Sequence, residues 1–546
     1  MIFPWWNNAS RGERLVFFSI IFFAIVVRMF GINTLELWHD ETGSMLAANG
    51  LSYVGDVPGQ GFTKSDLPSW NTLPNVISAC LFIDSGNGSL YTVLLHGWSI
   101  LFGNAPAALR SLSMIASLLT VMVAFLFALR LFQSSTAALA TAALIASSQS
   151  FIGPSVQIRS YALAVLLSLV ATALLFRLLR SARPAPWTIV LYGLTTGAAV
   201  LTHYSTCYIL LAHPIVLMIM RTPPSNILRI ALGGALALAL FAIWMQFAGS
   251  EGLERMRITN QNYVDQVTTN PGIVSFFYAT TFRTVLEGWL VQLLCATGNG
   301  LQYLGPPLRV IAPLLVVPVM LIVVAYTRRK EAVERRTLCS LCVLLLSSMV
   351  YATVLSMSSG HTVSFQAHYA VFAAPYAALL LGRSVSLLPV PTDRLRPLAI
   401  VAVVALAMVV ITSLFIGRAT GIIAPNRYQL YADRSTVALD RYRNDHVSAI
   451  HSSKYAAYLF ALYGPPEADH LKHFVDTAYN GISGLIVERG GRSWVVPVRP
   501  RSLEFPRSEP KDGELWHLDH GGPRPVIPDS VDTWVPLAIA QGDPSN

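Results

Sequence analysis

The sequence predicts a polytopic α-helical membrane protein of about eleven transmembrane helices, followed by a small C-terminal extramembrane α/β domain. Three observations predict it. Apolar residues make up 53% of the chain and charged residues only 12%, outside the usual balance of a soluble domain. Apolar runs of spanning length alternate with short arginine clusters. Beyond about Arg418 the composition changes to Pro, Gly, Asp, Arg and Trp, with no run long enough to span. The formal charge of +9 does not indicate nucleic acid, because the arginines cluster between apolar runs, as orientation signals do, rather than along one face.

The runs can be taken in order. Arg11 and Arg14 precede Leu15–Val27, which places the N-terminus in the cytoplasm and directs the first span outward. No small-residue cleavage site follows, so this run reads as a retained anchor rather than a signal peptide. An outer loop, 31–106, comes next. Leu109–Leu131 returns inward to Arg130, Thr136–Phe151 goes out, and Tyr161–Leu179 comes back to Arg177, Arg180 and Arg183. Trp187–Met220 would measure roughly 50 Å as one helix against a ~30 Å hydrocarbon core. It therefore reads as two spans joined at Thr202-His203-Tyr204. Ile230–Phe247 exits, and a second outer loop, 248–309, carries Glu251, Glu254, Asp265, Arg283 and Glu287. Val310–Tyr326, Leu338–Met357, Tyr369–Leu388 and Leu398–Ile416 complete the transmembrane domain, residues 1–417.

In the C-terminal domain, 418–546, alternation in Val447–Ile450 and Trp494–Val498 predicts strands, and Ser435–Arg443 and Tyr455–Tyr463 have helical patterning. The stretch after Arg499 is Pro-rich and reads as extended. The five cysteines are scattered, and Cys339-x-x-Cys342 lies inside an apolar run with no second pair, which favours buried small hydrophobes over metal or redox work. No Walker loop, dinucleotide fingerprint or zinc-protease motif is present.

The segment with most chemistry is Trp38-His39-Asp40-Glu41, directly after the first span. Outside the cytoplasmic membrane there is no nucleotide sugar, so group transfer there needs donors activated on lipids. A polyprenyl-phosphate sugar meets that need. Attack on its anomeric carbon passes through an oxocarbenium-like state, and a carboxylate opposite the leaving group can take the acceptor hydroxyl proton. The leaving phosphate is a weak base and needs cationic partners more than an acid.

Over roughly Leu15 to Leu388 the chain resembles the GT-C superfamily of membrane glycosyltransferases, in particular Rgt-like members related to protein O-mannosyltransferases and the lipid A aminoarabinose transferase. Four patterns carry the resemblance: Trp38-His39-Asp40-Glu41; Leu90–Gly103 with Ala108-Leu109-Arg110-Ser111; Ser155–Leu163, containing Gln157-Ile158-Arg159-Ser160-Tyr161; and Leu201-Thr202-His203-Tyr204. The departures are Gln157 where the family has Glu, Gly88-Ser89 where it has Pro-Pro, and His368-Tyr369 where it has Arg-Tyr. Asp84 and Asn87 are the nearest candidates for the family's polar residue before its juxtamembrane helix. The resemblance implies an inverting transfer from a polyprenyl-phosphate sugar to a lipid, polysaccharide or protein hydroxyl. It also implies a bacterial inner membrane location, with the site and C-terminal domain periplasmic.

On that resemblance Asp40 is the base, Glu41 its neighbour, and Arg159 and His368 donor-phosphate candidates; Arg283 joins them from its place in the long second outer loop. His39, Asp84, His96, Gln157, Tyr161 and His203 complete the candidate set. Each has a plainer reading. Asp40 can cap a helix beginning near Thr42, Glu41 can serve helix-terminus electrostatics, and Arg159 can snorkel at an interface. His203 and His368 can be hydrogen-bonded structural histidines, and Asp84 and His96 can be interfacial packing. No cofactor is expected. Asp40, Glu41 and Asp84 are the set that would hold a hard divalent cation, but they lack a dedicated ligand loop. The alternatives are a flippase or transporter of a lipid-linked saccharide, which would place ionisable groups near the midplane, and a catalytically degenerate homologue, which Gln157 keeps open.

Overall fold

The computed structural model describes residues 2–32, 39–51, 72–181, 183–269, 278–297, 319, 321–323, 326–327 and 331–387, together with six strands between 446 and 525. The chain forms two compact units: Met1–Asn33 with Cys80–Arg418, and Thr34–Ala79 with Ala419–Asn546.

The first unit is helical. Its elements are α1 (Ile2–Asn8), α2 (Arg11–Ile32), then, after α3 (His39–Ala48) of the second unit and α4 (Leu73–Asp84), α5 (Ser89–Phe102), α6 (Pro106–Phe132), α7 (Ser135–Ser147), α8 (Gln149–Ser155), α9 (Tyr161–Arg180), α10 (Pro186–Thr202), α11 (Cys207–Leu210), α12 (His213–Ile219), α13 (Pro224–Thr269), α14 (Phe282–Ala296), α15 (Ala332–Ser359) and α16 (Ala374–Val385). Among the described residues α6, α9, α13 and α15 are long and apolar enough to cross a membrane. The chain is a multi-pass membrane protein.

α7 is the central helix. Ala137, Ala138, Ala140, Ala142, Ala143 and Ala146 are all buried, as expected of a helix that is apolar on every side. Its neighbours are α2, α6 and α16. Ser134 starts it by accepting a hydrogen bond from the Ala137 amide at 3.2 Å. A second contact relies on small residues spaced four apart. A Cβ on Gly193 of α10 would stand 2.5 Å from the Gly233 carbonyl of α13, and one on Gly197 would stand 2.9 Å from Leu240. Glycine lets the two backbones approach, which is how helices associate where lipid competes equally for apolar surface. Gly193→Leu is therefore expected to destabilise the bundle by about 1–3 kcal/mol or to prevent assembly, read as a lower melting temperature in detergent.

Several expectations need correction. The loop expected at 248–309 is helical over much of its described length. α13 continues without a break to Thr269, 46 residues or about 69 Å, and α14 follows. The polar half of α13 is held by pairs one turn apart, Arg255 with Glu251 at 3.1 Å and Arg257 with Glu254 at 2.9 Å. The run Thr136–Phe151 is interrupted at Ser148, whose extended backbone separates α7 from α8. The break at Thr202-His203-Tyr204 is present, and the run beyond it is a short apolar helical stretch, Tyr204–Ile219, that begins as a 3-10 turn and continues through α11 and α12. Likewise Tyr369–Leu388 begins as 3-10 turns, and regular helix starts only at Ala374. The helix expected near Thr42 starts at His39. Most of Val310–Tyr326, all of Leu398–Ile416 and the two C-terminal helices expected at Ser435–Arg443 and Tyr455–Tyr463 lie outside the described residues.

In the second unit a six-stranded sheet runs in the order β2-β1-β3-β4-β5-β6, from β1 (His446–His451), β2 (His473–Val475), β3 (Gly484–Arg489), β4 (Arg492–Pro497), β5 (Trp516–Asp519) and β6 (Gly522–Pro525). Of the two runs expected to be strands, Val447–Ile450 falls in β1 and Trp494–Pro497 in β4, with Val498 outside the described residues. β1 and β2 pair in parallel, Ala449 opposite His473, and 21 intervening residues are ample for the crossover that a parallel pair requires. The remaining pairs are antiparallel, with Val487 facing Val447 on one side and Trp494 on the other. Beyond Arg499, where the sequence reads as extended, β5 and β6 pair with each other, Trp516 opposite Pro525.

Candidate active site

Four segments far apart in sequence meet at one end of the helical unit: the α4–α5 turn, the start of α9, the break after α10 and the 3-10 turns before α16. The α4–α5 turn, Asp84-Ser85-Gly86-Asn87-Gly88, makes the tightest bend. Ser85, Gly86 and Gly88 have φ of 54°, 75° and 83°, and glycine adopts such values without steric cost. A Cβ on Gly86 would stand 3.1 Å from the Tyr204 hydroxyl. The turn is pinned to the α10 break, since the Asn87 Oδ1 accepts from the Tyr204 amide at 2.9 Å and the Ser89 hydroxyl donates to the Leu201 carbonyl at 3.1 Å.

Arg159 enters this cluster from the turn before α9. The Ser113 hydroxyl of α6 donates to the Arg159 carbonyl at 3.0 Å and is itself 2.9 Å from the Tyr91 hydroxyl, which fixes the backbone from which the side chain departs. The guanidinium Nη1 donates to the Asp84 Oδ2 at 3.2 Å. It also stands 5.6 Å from the centre of the Tyr161 ring, within cation–π range. The Arg159 side chain is 9% exposed and that of Asp84 33%, so the pair lies at the boundary between interior and solvent. Tyr161 is the hub of the cluster: its ring centre is 5.0 Å from that of His203 and 5.2 Å from that of His368, and His368 stacks obliquely on Tyr369 at 4.3 Å.

His203 is buried, and its Nδ1 accepts from the Ser205 amide at 3.1 Å, capping the 3-10 turn. Burial, followed by the positive field of Arg159 and then by His368, holds its pKa well below the usual histidine value. The ring is neutral at pH 7. Folding therefore favours the deprotonated form, and the unfolded chain takes up a proton that the native state refuses once pH falls below about 6.5. The contribution of this histidine to stability is complete above that pH and is lost progressively below it. Melting temperature should fall between pH 7 and pH 5, and His203→Gln, which carries no ionisable group, should flatten that slope.

The structure thus brings together Asp84, Arg159, Tyr161, His203 and His368 from the sequence-derived set. Gln157 is half-buried on the same turn as Arg159. Arg283 is not among the side chains joined in this cluster. It lies in the first turn of α14 with its side chain 86% exposed and ion-pairs Glu287 at 2.9 Å, the ordinary one-turn pairing of a helix surface. His96 is half-buried on α5. Asp40 and Glu41 belong to the second unit and occupy the first turn of α3, where carboxylates complement the helix dipole. Asp40 is half-buried, its carbonyl accepting from the Ser44 hydroxyl at 3.1 Å, and Glu41 is 1% exposed. The His39 side chain lies outside the described residues. Asn87 and Tyr369 are bound into the cluster more closely than their place in the motifs indicated. The sequence offered Asn87 beside Asp84 as a candidate polar residue before the juxtamembrane helix, and Tyr369 as the second residue of the His368-Tyr369 pattern. Among the described residues no three His, Cys, Asp or Glu side chains gather as a metal-ligand set.

No family model matches the chain, and no curated protein matches it. Among solved structures the chain is similar to ArnT from Cupriavidus metallidurans bound to undecaprenyl phosphate, at 14% identity and a TM-score of 0.46, over 84% of this chain and 74% of that one. It is similar at 13% identity and a TM-score of 0.45 to the archaeal oligosaccharyltransferase AglB from Archaeoglobus fulgidus in complex with an inhibitory peptide and a dolichol-phosphate, over 85% of this chain and 61% of that one.

Proposed function

We propose that the protein is an inverting glycosyltransferase that moves a sugar from a polyprenyl-phosphate donor to an acceptor hydroxyl at the outer face of the cytoplasmic membrane. The observation that carries this reading is the meeting of the separated motif segments around Arg159. A guanidinium oriented by Asp84, beside the Tyr161 ring at a solvent boundary, is the kind of group that binds a phosphate oxygen. Asp84 keeps the fork oriented, and its partial exposure leaves the pair open to exchange with an anionic ligand.

In the reaction the acceptor oxygen forms a bond to the anomeric carbon as the bond from that carbon to the phosphate oxygen breaks. The acceptor proton passes to a carboxylate base, the role for which the sequence patterns offer Asp40, and the departing phosphate needs a cation, the role for which Arg159 is the candidate. Displacement from the face opposite the phosphate inverts the anomeric configuration. Asp40 lies half-buried in the first turn of α3.

The test is transfer by purified protein reconstituted in lipid vesicles, with a panel of polyprenyl-phosphate sugars and an envelope extract as acceptor. Release of free polyprenyl phosphate with labelled sugar in the acceptor supports the reading. Donor that crosses the bilayer intact, with no release, replaces it with a flippase.

A further inference from the structure

The hydrogen-bond pattern at His203 leaves two donors facing each other. The Nδ1 accepts from the Ser205 amide at 3.1 Å, so the proton of the neutral ring is on Nε2. The Asn87 Oδ1 accepts from the Tyr204 amide at 2.9 Å, so the side of Asn87 turned to His203 is the NH2 group. The Nε2 and the Asn87 Nδ2 approach to 3.4 Å. Neither flip relieves this. Rotating the amide would put its NH2 against the Tyr204 N–H, and turning the imidazole over would remove the acceptor from Ser205. His203 is 2% exposed, and a buried donor without an acceptor costs about 1–3 kcal/mol.

We infer that His203 Nε2–H and Asn87 Nδ2–H together hold an oxygen of the donor head group, supplied by its phosphate or its sugar, and that these two residues position the donor beside Arg159. The inference rests on the reading of the protein as a lipid-donor transferase. The spacing suits such a ligand. The Arg159 guanidinium and the His203 ring both contact Tyr161, 5.6 Å and 5.0 Å from its ring centre, which puts them within the span of one glycosyl phosphate. The acceptor must be an oxygen that carries no proton toward the pair, which a phosphate oxygen or a sugar ether or hydroxyl oxygen satisfies. Asn87 and His203 act by orientation and take no proton in the reaction.

Asn87→Asp is the discriminating variant. Its carboxylate would accept from both the Tyr204 amide and the His203 Nε2–H, and so would fill from within the place assigned to the ligand. The measurement is thermal melting of protein reconstituted in nanodiscs, without ligand, with polyprenyl phosphate and with polyprenyl-phosphate sugars, alongside nitrogen-15 spectra of labelled histidine. The ligand-free variant is expected to melt at or above wild type, and its affinity is expected to fall at least tenfold. Loss of affinity for polyprenyl phosphate itself assigns the oxygen to phosphate, and loss confined to the sugar-linked forms assigns it to the sugar. Wild-type affinity in Asn87→Asp, a lower melting point or misfolding of the ligand-free variant, or an Nδ1-protonated His203 overturns the inference. Failure of wild type to bind any of these lipids instead overturns the transferase reading, and the ligand-free melting and the tautomer then decide whether the donor pair exists.

Discussion

Arg159→Gln is expected to lower kcat/KM for the lipid donor by about 10² to 10³-fold, the range found when one group that stabilises developing negative charge is removed. The loss should appear in both KM and kcat, because the guanidinium meets the phosphate in the bound donor and meets more charge as the bond breaks. Arg159→Lys separates charge from geometry. A lysine keeps the charge but has no planar fork to divide between Asp84 and a phosphate, so it should recover only part of the activity. Asp84→Asn should leave the charge on Arg159 and release its orientation, giving a smaller effect weighted toward KM. Steady-state kinetics on the three variants, with melting curves to confirm folding, checks the order. Equal activity in Arg159→Gln and wild type would remove Arg159 from the reaction.

Asp40→Asn is expected to reduce kcat by about 10² to 10⁴-fold with little change in donor KM, because it removes a proton acceptor while preserving shape. Its effect on stability should be small, since a first-turn carboxylate at a helix N-terminus contributes about 0.3–1 kcal/mol. Glu41→Gln should behave in the opposite way. The Glu41 side chain is almost fully buried, so its replacement should lower the melting temperature more than it lowers turnover. A comparison of kcat with melting temperature for the two variants distinguishes a base from a structural carboxylate.

The helical membrane character was legible because hydropathy and arginine placement report a solvent directly, and α6, α9 and α15 coincide with runs read from those signals. The continuation of α13 to Thr269 was not legible from hydropathy, because its second half is polar and the information lies in pairs one turn apart, such as Glu251 with Arg255. The breaks at Ser148 and before Ala374 were hidden for the opposite reason: apolar composition continues across them, and only backbone conformation changes. At the site, Arg159 and Tyr161 stood out as a motif. Their convergence with Asp84, His203 and His368 depends on how the α4–α5 turn meets the α10 break, a tertiary fact with no period in the sequence. The donor contact between Asn87 and His203 is further removed still, since it follows from which backbone amides each side chain already satisfies.

The most direct test is the fate of sugar and lipid in one turnover. Wild-type protein in sealed vesicles is supplied with a polyprenyl-phosphate sugar of known anomeric configuration. The transferred sugar is then examined by NMR while free polyprenyl phosphate is counted. An inverting transferase releases one polyprenyl phosphate for each sugar transferred, and the new glycosidic bond has the opposite anomeric configuration. Retained configuration, or sugar still attached to its lipid after crossing the bilayer, would contradict the account.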